Sequence, residues 1–134
     1  MMDNKLRFHH IGIACHDIDT TKTFYVAQGY SASETVKDSI QNVYICFLEK
    51  NDVPCIELLA PVDEESPVNR VLKTSGVTPY HICYEVNDID AAVKELKSQH
   101  FVLISRPVPA CALDGRRVCF LYNKSVGLIE LVSK

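Results

Sequence analysis

With 134 residues, the chain suits one compact domain and leaves no room for two large independent ones. Hydrophobic residues make up 47% and charged residues 23%, enough apolar material for a packed core. The net charge of −3 and the scattered bases, with Arg116-Arg117 the one adjacent pair, exclude nucleic acid and anionic membranes as expected partners. No apolar run approaches the roughly 20 residues of a membrane helix, and the N-terminal stretch MMDNKLRF lacks the apolar centre of a signal peptide.

In chain order, residues 8–14 alternate and are rich in isoleucine, which predicts a strand. Asp17 or Asp19 can cap a helix running to about residue 28, with Ile18, Phe24 and Tyr25 available for its apolar face. Gly29 stands where a helix C-terminus favours it. Strand-like runs follow at 30–37, 42–49 and 54–60. Ser66-Pro67 reads as an N-cap followed by proline in the first helical position, opening a short connector helix over 66–75. A second strand–helix–three-strand series then runs through 79–86, 88–99, 101–106, 116–122 and 126–133, with Asp114-Gly115 as a turn between the first two of its last three strands.

The two series are copies. FHHIGIACHDIDTTKTFYVAQGY (8–30) overlies PYHICYEVNDIDAAVKELKSQHF (79–101) at an offset of 71, placing His10 on His81 and Asp17-Ile18-Asp19 on Asp88-Ile89-Asp90. CFLEKNDVPCIELL (46–59) overlies CFLYNKSVGLIELV (119–132) without a gap at an offset of 73, placing Glu57 on Glu130. The expected architecture is α+β: a single domain over 1–134 built from two βαβββ modules, one over 8–60 and one over 79–133, dividing near Gly76.

Side chains alternate across a strand, so His10 shares a face with Phe8, Gly12 and Ala14 while Ile11 and Ile13 point the other way. His81 likewise shares a face with Cys83 and Glu85, and Glu57 and Glu130 oppose their Ile and Leu neighbours. A carboxylate between branched apolar residues is costly to bury unless it is paired or binds a cation. A lone strand histidine or glutamate is commonly structural. Two of each at repeat-related positions can instead converge on a pseudo-twofold axis, where two imidazoles and two carboxylates suit one divalent ion. Zinc, cobalt and nickel fit this set, with manganese, magnesium or iron as further candidates. Four ligands on an octahedral ion leave two positions for water or substrate.

Among the other candidates, His9 points with Ile11 toward the helix side, and His16 and His100 lie at helix boundaries on the expected surface. Cys55 and Cys83 share the inner face, where packing is the ordinary role, and Glu85 reads as pocket-lining, as a support to the ligands or as rim. The six cysteines stand singly, without a CxxC pair, and four fall in apolar strands, as small buried hydrophobes of a reducing cytoplasm do.

At these residues the sequence resembles the vicinal-oxygen-chelate superfamily, which includes glyoxalase I, methylmalonyl-CoA epimerase, extradiol dioxygenases and antibiotic-binding resistance proteins. HHIGIA, ELLAP followed by ESPV, YHICYEVNDID and FLYNKSVGLIEL are most similar to methylmalonyl-CoA epimerase segments. The resemblance covers essentially the whole chain. It implies a half-open mixed β-barrel around a metal with helices outside, a homodimer, and His10, Glu57, His81 and Glu130 as metal ligands. The epimerase family can have Gln at the position of Glu57, whereas bacterial glyoxalase I resembles the His, Glu, His, Glu set. Some epimerases carry a second catalytic Glu where this chain has Ile45, and the stretch around Asp114-Gly115-Arg116-Arg117 departs from their Gly-rich wording.

The expected function is metal-dependent proton abstraction next to a carbonyl, as in the epimerisation of a 2-substituted acyl thioester. Glu130 is the expected principal base, and Glu57 a ligand and second base. The alternatives are a glyoxalase I-type lyase acting on a thiol adduct of a 2-oxoaldehyde, and a non-catalytic protein that binds an antibiotic. Arg106, Arg116 and Arg117 could serve the anionic end of a substrate, although solvated loop charge is their commoner role.

Overall fold

The alternating residues Arg7–Ala14 form a strand (β1), followed by a helix over Ile18–Ala27 (α1) in the computed structural model, which describes residues 5–134. The beginning of MMDNKLRF, residues 1–4, lies outside the described residues. Strands Ser31–Ala32 (β2), Val36–Asp38 (β3), Val43–Glu49 (β4) and Ile56–Pro61 (β5) precede the helix Val68–Ser75 (α2). The second series runs Thr78–Val86 (β6), Ile89–Ser98 (α3), Val102–Pro109 (β7), Arg117–Asn123 (β8) and Gly127–Ser133 (β9). Among the described residues, nine strands make one mixed sheet in the order β2-β4-β5-β1-β6-β9-β8-β7, with β3 also on β4, and it does not close. This is the α+β architecture expected from the repeat.

Residues fall into two compact units: His10–Tyr80, and the residues up to His9 together with His81–Lys134. Within each, the ladder is the same. β1 pairs parallel with β5, and β5 antiparallel with β4. β6 pairs parallel with β9, and β9 antiparallel with β8.

The apolar face of each ladder packs on its helix. In the first unit Ile13, Cys46, Leu48, Ile56 and Leu58 are buried with Ile18 of α1. In the second, Cys119, Leu121, Ile129 and Leu131 are buried with Ile89, Ala92, Val93 and Leu96 of α3. Phe24 does not join this face and is 61% exposed, because it lies about 120° around the helix from Ile18, whereas Tyr25 is in line with it.

Both helices stop by one device. Tyr30 N–H bonds Tyr25 C=O at 3.1 Å and Gly29 N–H bonds Val26 C=O at 3.0 Å; Phe101 to Leu96 and His100 to Lys97 repeat the pattern at 3.1 and 3.2 Å. This double closure requires positive φ at the turning residue. Gly29 supplies it at 100°, and His100 adopts it at 71° in the second copy.

Three expectations are corrected. The strand at 30–37 is broken into β2 and β3, because the Ser33 hydroxyl accepts the Phe47 N–H at 2.9 Å in place of a ladder carbonyl. The α2 helix begins one residue late, with Pro67 rather than Ser66 as its cap, since the first turn closes through tight bonds from Asn69 N–H to Ser66 and from Arg70 N–H to Pro67. Before the expected Asp114-Gly115 turn, whose residues both have positive φ, a 3-10 turn forms over Cys111–Leu113.

Glu85 on β6 sits between two arginines of its unit. Arg7 Nη2 lies 3.3 Å from Glu85 Oε1 and donates to Asn87 Oδ1 at 3.0 Å. Arg116 donates to the other Glu85 oxygen and, through Nε, to the Ser133 carbonyl at 2.7 Å. Burial opposes ionisation of Glu85, but the hydrogen bonds and charges of Arg116 and Arg7 outweigh it and hold the carboxyl below its ordinary value.

Two predictions follow from these contacts. The Asp17 carboxylate accepts from Thr20 N–H at 3.0 Å and that of Asp88 from Ala91 N–H at 3.1 Å, so Asp17→Ala and Asp88→Ala should each lower the unfolding free energy in urea by about 1 kcal/mol. A carboxyl whose folded pKa is depressed contributes stability above its unfolded value and loses it as pH falls through the folded one. Glu85→Gln should therefore destabilise at neutral pH, and the gap from the unsubstituted protein should shrink in denaturant melts as the pH falls below the ordinary carboxyl range.

Candidate metal centre

In the first unit, parallel register sets Gly12 beside Glu57, and antiparallel register sets Phe47 on the other side of Glu57. His10, two residues before Gly12, therefore shares a face with Glu57 and Phe47. The ligand-type side chains are buried, His10 at 0% and Glu57 at 3% exposure, and His10 Nε2 lies 3.0 Å from Glu57 Oε1. The Phe47 ring meets the imidazole nearly at right angles, centroids 5.3 Å apart.

The second unit builds the same pair. Register sets Cys83 and Phe120 on either side of Glu130. His81 is 4% and Glu130 3% exposed, with His81 Nε2 3.0 Å from Glu130 Oε1. Phe120 stands at right angles to the imidazole at 5.1 Å.

Each pair has the donor chemistry and spacing that a divalent ion requires. Imidazole nitrogen and carboxylate oxygen bind such ions at about 2.1 Å, and two neighbouring ligands on an octahedron are then about 3.0 Å apart. The observed separation of 3.0 Å in each unit matches that edge. A cation at this position also offsets the cost of holding an ionised carboxylate among Ile56, Leu58, Ile129 and Leu131.

Most of the other candidates are placed elsewhere, whereas Cys83 stands beside Glu130. Glu85 is held by the arginine cluster described above. Arg116 is committed to Glu85, and Arg117 to Asp90 at 2.8 Å, which leaves the exposed Arg106 as the one of the three without a carboxylate partner among the described residues. His16 and His100 are exposed, as expected. Cys83 is buried with Ala110, Val118 and Val132, the packing role expected of it. Cys55 is half-buried; burial, with the nearby Glu49 and Glu57 charges, pushes its thiol up to about 11. Cys119 is pushed up to about 12 by burial, with Glu130 adding to it. None of the six cysteines, all among the described residues, forms a disulfide.

Ile45, 2% exposed, stands on the same face of β4 as Phe47 and opposite Leu59, so no carboxylate occupies that position. A cleft of about 680 Å³ opens beside Phe47, lined also by Ser31, Ser33, Glu49 and Lys50. Phe47 and Phe120 were not among the expected site residues. The repeated Cys-Phe-Leu was visible, and carrying the face assignment of Glu57 and Glu130 across one strand pairing would have found them.

The family model of the glyoxalase/bleomycin resistance protein/dioxygenase superfamily matches residues 9–120. The mitochondrial methylmalonyl-CoA epimerase of Homo sapiens is 34% identical over 129 residues, 93% of this chain and 72% of that protein. The structure of methylmalonyl-CoA epimerase from Mycobacterium tuberculosis is similar at a TM-score of 0.86 and 26% identity, covering 99% of this chain and 91% of that one. The Streptomyces coelicolor methylmalonyl-CoA epimerase in complex with 2-nitronate-propionyl-CoA is similar at a TM-score of 0.82 and 32% identity, over 97% of this chain and 99% of that one. The chain belongs to the glyoxalase/bleomycin resistance protein/dioxygenase superfamily, the vicinal-oxygen-chelate group that its repeat resembles.

Proposed function

We propose that His10, Glu57, His81 and Glu130 together hold one divalent metal ion, and that the protein is a metal-dependent epimerase of a 2-substituted acyl-CoA thioester. The observation that carries this reading is the His–Glu pair built twice, buried and spaced at 3.0 Å in each unit. The methylmalonyl-CoA epimerase relatives supply the substrate class. Zinc, cobalt or nickel suits the donor set, with manganese or magnesium as alternatives. Six cysteines outside any disulfide fit a cytoplasmic protein, and no helix is long and apolar enough to cross a membrane among the described residues.

The ion, when bound, supplies a Lewis acid that polarises the substrate carbonyl. Glu130 takes the proton from the carbon next to that carbonyl as principal base, and Glu57 is both ligand and second base. Ile45 offers no alternative base at the position where some epimerases carry one, which assigns the second proton transfer to Glu57. Burial of both carboxylates keeps bulk water from competing for their lone pairs. His10 and His81 remain neutral nitrogen donors in this scheme. The all-His/Glu set also favours a glyoxalase I-type reading, which the choice of substrate distinguishes.

Elemental analysis of protein purified without chelators should find about one equivalent of divalent metal, lost in His10→Ala. Methylmalonyl-CoA incubated in deuterium oxide should exchange its α-proton, and Glu130→Gln should slow that exchange about 100-fold or more while retaining some metal. Normal exchange in Glu130→Gln would sink the base assignment. Absence of metal, with none taken up on adding zinc, cobalt or nickel, would sink the metal site. Turnover of a glutathione hemithioacetal without exchange of methylmalonyl-CoA would move the protein to the lyases.

A further inference from the structure

We infer that Phe47 and Phe120 are positioning residues, one for each imidazole, and that Ser33 and Ser105 hold them in place. The inference rests on the metal site proposed above and adds to it a support that neither the comparisons nor the repeat motif assigns.

An imidazole on a strand turns about χ2 between broad, roughly two-fold wells, so the backbone alone does not aim Nε2 at a ligand position. Something must stop the rotation. In the first unit the Phe47 ring stands 78° to His10 at 5.3 Å, and in the second the Phe120 ring stands 90° to His81 at 5.1 Å. Near-perpendicular contact is the arrangement aromatic rings prefer, and swinging the imidazole would break it.

Each phenylalanine is fixed from both sides. Across one strand pairing it faces the glutamate, Phe47 opposite Glu57 and Phe120 opposite Glu130. Across the other, its backbone N–H bonds a serine hydroxyl: Phe47 to Ser33 Oγ at 2.9 Å, and Phe120 to Ser105 Oγ at 3.2 Å. Both serines stand where the neighbouring strand loses its regular register, at the break between β2 and β3 and at the irregularity between Leu103 and Ser105 in β7. The irregular strand frees the N–H from a ladder carbonyl, and the hydroxyl takes it. The same serine–phenylalanine–histidine arrangement occurs twice, once in each unit. Core packing alone does not explain this. Both rings are only half-buried, and both stand on the histidine face of the sheet rather than beneath a helix.

The test uses the whole chain, cobalt(II) as the probe, and Leu and Tyr variants of each phenylalanine. Phe47→Leu and Phe120→Leu should each speed loss of cobalt to excess chelator about tenfold and shift its visible absorption bands, as loss of a support to a metal ligand does. Phe47→Tyr and Phe120→Tyr, which keep the ring, should stay near the unsubstituted protein. Ser33→Ala and Ser105→Ala, which keep the phenylalanine, should show a smaller change of the same sign and stand in for a Leu variant that fails to fold. Leu variants with unchanged bands and chelation rates would overturn the inference, and an effect at only one site would overturn it for the other. If the unsubstituted protein takes up no cobalt, the metal reading fails. The ring assignment is then decided in the same protein by imidazole ¹⁵N spectra, where the Leu variants should show averaged His10 or His81 environments and identical spectra would overturn it.

Discussion

The structure is organised around the cost of placing a carboxylate in the middle of a buried strand, twice. Glu57 and Glu130 are each 3% exposed, between residues that belong in the core. An ionised carboxylate in such a place costs several kcal/mol unless a partner compensates. Strand alternation supplies the solution. Because Ile56 and Leu58 must face α1, Glu57 must face away, onto the side where His10 and Phe47 also point. One parity rule thus packs the helix and assembles the polar pair. A one-residue slip of β5 would expose the apolar side chains and scatter the site together, so the register is under two constraints that agree.

The copies diverge in an informative way. His, Glu and Phe recur, as do the aliphatic positions Ile45 and Leu59, matched by Val118 and Val132. Where the first unit has Gly12 and Ala14, the second has Cys83 and Glu85. In the second unit this face is filled: Cys83 packs under Ala110, and Glu85 clasps the arginines that tie β1 and the turn before β8 to β6. In the first unit the same positions carry the smallest side chains, and both are buried. The repeated residues thus belong to the pair itself, and the varied ones to its surroundings.

The sequence carried the fold through its periodicity, because the duplicated segments constrain one another. Strand parity alone placed His10 and Glu57 on one face, and likewise His81 and Glu130. Local irregularity was harder to read. The β2–β3 break depends on a serine hydroxyl fourteen residues from the backbone group it serves, a contact that no local propensity encodes. Phe24 is apolar enough for the helix's inner face, but its helical angle places it in solvent. Glu85 stayed ambiguous because its partners Arg7 and Arg116 come from distant segments. Sequence patterns report which face a side chain takes; who meets it there is tertiary information.

The identities at 57 and 45 are best understood together, as one allocation of charge. Two neutral imidazoles and two carboxylates balance a divalent ion, so the proposed site is neutral overall. An amide at position 57, as the epimerase family can have, would leave a net positive site and remove a base, which a glutamate at position 45 would then restore. This chain has the converse arrangement, Glu57 with a buried Ile45. A carboxylate at both positions would put three negative charges into one apolar surrounding, where like charges oppose ionisation and at least one proton would be retained. The isoleucine thus keeps the carboxylates of the proposed site at two, the number whose charge balances a divalent ion.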